Sequence, residues 1–199
     1  MRLKVLVLSV LLFLVTPSLF AAETTFHFGK SGQRTNITFE SETDFEVILG
    51  STNEISGDVT ADLTAGTGRL ELEVPVASLR TGIAARDKHL QSKNWLNAKQ
   101  FPLLSFVSSK VEKLSRGKWE VTGTFTMHGV SKEITVTVDV RSIPAAVAKK
   151  AGLEKGDWIR VNVPFELKLS DFGVKVSGRA AAKVNDTWKV RILAFATTG

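Results

Sequence analysis

The feature that most restricts what this chain can fold into is a two-residue rhythm of apolar and polar side chains. Ile134, Val136, Val138 and Val140 alternate with Thr135, Thr137, Asp139 and Arg141. Ile159, Val161, Val163, Phe165, Leu167 and Leu169 alternate with Arg160, Asn162, Pro164, Glu166 and Lys168. Successive side chains of a strand point to opposite faces, so such runs bury one face and wet the other. The same rhythm carries Phe45, Val47 and Leu49; Ile55, Gly57, Val59 and Ala61; Leu70, Leu72, Val74 and Val76; Trp119, Val121, Gly123 and Phe125; and Trp188, Val190, Ile192 and Ala194. Gly66-Thr67-Gly68, Ser115-Arg116-Gly117 and His128-Gly129 mark turns between these runs. The pattern is that of half-buried antiparallel strands, roughly eight to ten of them. A closed or nearly closed barrel suits it best, because closure removes exposed edges. A two-sheet sandwich satisfies the same alternation. Pro164, on a polar face and without an N–H to donate, marks an edge or a bulge.

The stretch Ser78–Ser109 breaks the rhythm. Thr81 can cap a run of good helix formers from Ala84 to Gln91, with Ile83 and Leu90 seven apart on one face, and Pro102 cannot continue a helix. One amphipathic helix in an all-β chain must lie on something apolar, and the expectation is that it covers one mouth of the barrel. A second short helix is bracketed by Pro144 at its first turn, Lys149-Lys150 in its last and Gly152 beyond.

Ahead of the strands stands a processing signal. Arg2 and Lys4 precede an apolar run from Val5 to Val15, and Ala21-Ala22 offer a small-residue cleavage site. The run is short for a membrane span, which takes about 20 residues, although an uncleaved anchor is the alternative. Residues 1–22 are thus expected to be a cleaved secretory signal and 23–199 a single domain. Taking Arg2 and Lys4 from 26 basic residues against 20 acidic ones leaves about +4, spread without a basic run, which argues against nucleic-acid binding. The chain has no cysteine, so its core alone must hold the fold, and it has no thiol for a lipid anchor.

A membrane-spanning barrel would turn its apolar face outward and carry aromatic girdles. This chain has no Tyr and four Trp, and its polar strand faces are rich in Lys, Glu and Asp, so the apolar face is read as inward. An eight-stranded barrel of that kind has room for packed side chains or one small ligand. His27 reads as a surface residue and His128 as part of a turn. His89 follows Arg86 and Asp87 on the first helix. No spacing among these residues suits a metal, no cofactor is implied, and no Gly-x-Ser-x-Gly elbow is present. The chain is therefore read as not an enzyme; a hydrolase or isomerase using His89 and Asp87 is the competing class.

Three motifs carry a family resemblance. Ser78-Leu79-Arg80-Thr81 with Arg86-Asp87-Lys88-His89-Leu90, Phe101-Pro102 and Phe106 is the first. Gly123-Thr124-Phe125-Thr126-Met127-His128-Gly129-Val130-Ser131-Lys132 is the second, and Asp171-Phe172-Gly173-Val174 the third. In this order they resemble the signatures of the YceI-like polyisoprenoid-binding family. The resemblance implies a lipocalin-like, antiparallel, closed β-barrel of about eight strands with one or two short helices, exported to the periplasm. It also implies a tunnel for a long isoprenoid, quinone or fatty-acid-like amphipathic chain. On that reading Trp119, Val121, Phe125, Ile134, Val136, Val138, Ile159, Val161, Val163 and Phe165 form the apolar interior. Arg86, Lys88 and His89 would meet the head group at the mouth. Transient membrane contact and a monomeric or homodimeric state are compatible with this reading, and a ligand-free envelope stress or assembly factor is its alternative.

Overall fold

A computed structural model describes residues 23–29, 34–62, 64–153 and 155–199; the expected signal segment and its cleavage site lie outside them. The strands are β1 (Thr24–Phe28), β2 (Asn36–Glu42), β3 (Val47–Thr52), β4 (Ser56–Asp62), β5 (Thr67–Pro75), β6 (Leu103–Ser115), β7 (Lys118–Met127), β8 (Val130–Ile143), β9 (Trp158–Lys168) and β10 (Thr187–Thr197). Two helices interrupt them, α1 (Ala84–Leu90) and α2 (Ala145–Lys150).

All strand pairs are antiparallel, and the ring runs β1-β4-β5-β6-β7-β8-β9-β10 and back to β1 through His27 opposite Thr197. Two of the eight positions in the wall are each shared by two short strands. β1 lies beside the end of β10 and pairs with β4, whereas β2 pairs with β10 from Leu193 to Lys189 and with β3 on its other side. Near Asn53–Ile55 the chain turns a corner between β3 and β4, so ten short strands make an eight-stranded barrel. The barrel expected from the alternation is the one observed.

The wall is not laced uniformly. β8 pairs with β9 only from Asp139 opposite Asn162 to Ile143 opposite Trp158. Beyond Asn162, β9 keeps β10 as partner and loses β8. Pro164 sits just past that parting, opposite Arg191 of β10, where its missing N–H costs nothing on the β8 side. The gap is filled by the turn after β9, in which Leu169, Phe172 and Val174 are buried. A second weak join lies beside β3, whose outer edge is tied to the segment after β5 by the Ser51–Arg80 bridge, with both N–H···O=C bonds made at 2.7 and 2.9 Å.

Two sequence expectations need correction here. Phe45, Val47 and Leu49 do alternate, but they point outward, with 70, 53 and 61% of their surfaces exposed. The inward residues of β3 are Ile48, Gly50 and Thr52. This inward position takes a glycine because a Cβ there would stand 2.0 Å from Cζ of Phe39, whose ring fills that space. Helix α1 is likewise capped differently from expectation. Its N-cap is Ile83, with no side-chain cap bond, and Ile83 is 52% exposed while Leu90 is buried. Thr81 instead gives both its hydroxyl and its N–H to Asp87 Oδ1, at 2.6 and 2.7 Å. Helix α2 matches its signposts: Pro144 precedes it, and it covers the outward-facing Trp158 and Phe195 on the barrel's flank.

Candidate functional site

The inward faces meet in a single apolar interior. The cavity of about 220 Å³ inside the barrel is lined along its length by Val, Ile, Leu and Phe, with Met127, Trp119 and Trp188 among them. Ser105 and Ser142 are the polar residues in its lining, and no charged residue lines it. On β9 the lining runs from Ile159 to Leu167, eight residue steps, or about 26 Å of strand. For scale, a hydrocarbon-lined cavity of about 150 Å³ stays dry and accepts benzene. All ten interior residues expected from the alternation, Trp119, Val121, Phe125, Ile134, Val136, Val138, Ile159, Val161, Val163 and Phe165, line this cavity. Beyond these, β1, β2, β4, β5, β6 and β10 also contribute to the lining, among them Phe26, Phe39, Val59, Leu72, Phe106 and Trp188. The signal for Trp188, Val190 and Ile192 was present in the rhythm of the last strand.

One end of the barrel is stoppered. Where β5, β7 and β9 end, Val76, Leu96, Met127, Leu169, Phe172 and Val174 pack together, each at most 2% exposed. Leu79 and Leu90 join them from either side of the α1 approach, and Leu79 and Leu96 reach the cavity. Phe172 also stands edge-on to Phe125, with ring centroids 5.3 Å apart. The opposite end is different. Ser142, on the inward face of β8, is exposed, and Lys113, across from Trp119 in the β6–β7 register, holds Nζ 5.8 Å from the indole centroid.

The polar residues expected to greet a head group are not in the cavity lining. Arg86, on α1, is half-buried, donating through Nε to Thr81 Oγ1 at 3.0 Å and facing Glu46 at 3.4 Å. Lys88 and His89 are exposed on α1. Asp87 organises this corner. The Thr81 hydroxyl bond foremost, then the Thr81 N–H and the charges of Arg80 and Arg86, hold its carboxyl below the usual aspartate range despite partial desolvation. His128 adopts a left-handed backbone, φ 53°, and its Nδ1 donates to the Phe172 carbonyl at 3.1 Å, tying the β7–β8 turn to the stopper. His27 pairs with Asp58 at 2.6 Å on the outer wall. The two histidines and the helix residues thus lie in separate places, and no group of three or more His, Asp or Glu able to hold a metal occurs among the described residues.

A closed antiparallel barrel around an uncharged apolar cavity defines a lipocalin-like container. Residues 30–196 match the model of the YceI-like domain, and the chain belongs to that family. A UPF0312 protein of Vibrio parahaemolyticus is 30% identical over 152 residues, covering 75% of this chain and 77% of the relative. One from Shewanella sp. strain MR-7 is 28% identical over 179 residues, covering 86 and 88%. Among solved structures, Burkholderia cenocepacia BcnA superposes with a TM-score of 0.70 at 23% identity, covering 82% of this chain and 96% of that one. A polyisoprenoid binding domain from Saccharophagus degradans implicated in plant cell wall breakdown superposes at 0.60 with 17% identity, covering 88 and 99%. Both likenesses show the same fold.

Proposed function

We propose that this protein is an exported carrier that holds one long, predominantly apolar chain, isoprenoid in character, inside its barrel. The observation that carries this reading is the lining itself: about 26 Å of continuous hydrocarbon wall without a charged side chain. Such a wall binds by area. Micromolar affinity corresponds to about −8 kcal/mol, and with association costing at least about 4 kcal/mol, roughly 500 Å² of buried apolar surface suffices at about 25 cal/mol per Å². The polyisoprenoid binding described for the Saccharophagus neighbour supports the same ligand class. The secretory pattern of residues 1–22 supports export, and the periplasm is the compartment we propose. Binding without turnover fits a cavity that holds no titratable group.

The test is to purify the protein from its own host, extract it with organic solvent and identify what is released by mass spectrometry. The expected result is a prenylated lipid at close to one per chain. Lipid-free protein that also fails to take up a prenyl chain added in solution would overturn the proposal.

A further inference from the structure

The cavity contains one chemical inconsistency. Among the described residues, the one buried side-chain N or O atom without a hydrogen-bond partner is Nε1 of Trp188. Trp188 lies on the inward face of β10, is 6% exposed and lines the cavity toward its stoppered end. Its indole stacks on Phe39, with centroids 4.8 Å apart and planes 7° from parallel. Gly50 leaves the room that this stack occupies. A buried N–H that finds no acceptor is disfavoured relative to one that does. The chain shows the usual solution elsewhere: Trp158 donates its Nε1–H to the Lys155 carbonyl at 2.9 Å. Stacking on Phe39 uses only the faces of the rings, so a phenylalanine at 188 would stack equally well and bury no donor.

We infer that Trp188 is the polar recognition point of the cavity, donating its indole N–H to a carbonyl-type acceptor on the head of a neutral lipid. Three observations decide the chemistry. The nitrogen is shut off from solvent, so its acceptor comes with a ligand that slightly displaces the Phe39 stack. No cation lines the cavity, so an ionised phosphate or carboxylate brought to this depth would be desolvated without a counter-charge. One N–H suits a single neutral acceptor, such as a quinone, ester or amide oxygen. The ligand then enters head first, with its apolar chain trailing toward the end bearing Lys113 and Ser142. This assignment rests on the carrier reading above and specifies its ligand.

The experiment compares three probes on wild-type protein and on Trp188→Phe: a prenylated benzoquinone, squalene as a hydrocarbon without a head, and a polyprenyl monophosphate. The quinone is expected to lose about tenfold in affinity in the variant, equivalent to 1.4 kcal/mol, with squalene changing less than threefold. In wild-type protein labelled with ¹⁵N, the Trp188 indole N–H resonance, assigned through its own backbone, should move downfield with quinone and stay in place with squalene. That measurement decides the matter even if the variant folds poorly. Equal losses for quinone and squalene, or an indole resonance indifferent to quinone, would reduce Trp188 to packing and overturn the inference. A monophosphate that binds as tightly as the quinone and moves the same resonance would overturn the neutral-head assignment. If neither squalene nor the quinone binds wild-type protein, the carrier reading is what fails.

Discussion

Replacing Val121 with glutamate puts the interior to its sharpest test. Val121 is 3% exposed on the inward face of β7, opposite Val111 of β6 and Val136 of β8, and all three line the cavity. A carboxylate there has no cation in the lining to pair with. Full burial raises a carboxyl pKa by up to about 3–5 units, and each unit is 1.36 kcal/mol. The ionised variant should therefore be about 4–7 kcal/mol less stable near pH 7, a large part of a typical domain's 5–15 kcal/mol. The sign of the pH dependence follows. The group's folded pKa lies above its unfolded value near 4.3, so the penalty is full above the folded pKa and shrinks as pH falls toward the unfolded one. The control is Thr137→Lys on the outward face of β8, directly opposite Glu120, which should lie within about 0.5 kcal/mol of wild type. Urea denaturation at pH 7 and pH 5, read against wild type at each pH, measures both. If the glutamate variant were near neutral, or its penalty did not shrink in acid, the apolar face would not be the inner face.

Three further expectations are independent of that one. Gly50→Val should cost about 1–3 kcal/mol by overpacking, since its Cβ collides with the Phe39 ring, and near-ultraviolet circular dichroism should report loss of the Phe39–Trp188 stack. Asp87→Asn removes the charge that accepts both Thr81 bonds and should lower stability by about 1–2 kcal/mol at neutral pH. Because the native Asp87 pKa is depressed, that difference should persist above the unfolded value near 3.9 and vanish as pH falls through the folded one, as thermal melts across that range would show. Protein recovered from the periplasm should begin at Ala22 or Glu23 by intact-mass measurement; a full-length mass in the membrane fraction would refute cleavage.

The parts of the barrel that could be read from the chain are those where hydrophobic burial alone sets the pattern. Ile134 to Val140 and Ile159 to Leu167 announce both their strand and their inner face, because a slip of one residue would turn the whole set to water. Phe45, Val47 and Leu49 have the same rhythm and the opposite outcome. What accompanies the reversal is the Phe39 ring standing in the space at Gly50, a contact between residues of paired strands that no local period encodes. The α1 corner failed for a related reason. Thr81 has the chemistry of a cap, but its hydroxyl serves a carboxylate six residues later, so helix and loop are tied by Asp87 and Ile83 is left outside. Arg86, Lys88 and His89 were legible as a polar cluster beside an apolar opening. Only the ring order of the strands shows that the lining excludes them and that it includes Trp188, whose buried N–H belongs to an aromatic residue.

The two weak joins in the wall have a mechanical consequence. A barrel laced by backbone bonds around its whole circumference has a fixed bore, set by strand number and stagger. Here β8 and β9 part beyond Asn162, and the outer edge of β3 is held by one bridge at Ser51 and Arg80. At the stoppered end the circumference is completed by side-chain packing of Leu79, Leu169, Phe172 and Val174. Packed side chains can slide by fractions of an ångström without breaking a hydrogen bond, whereas a strand ladder cannot. The girth of this half of the molecule is therefore set by side-chain packing at the seams, while the rest of the wall is fixed by its strand ladders.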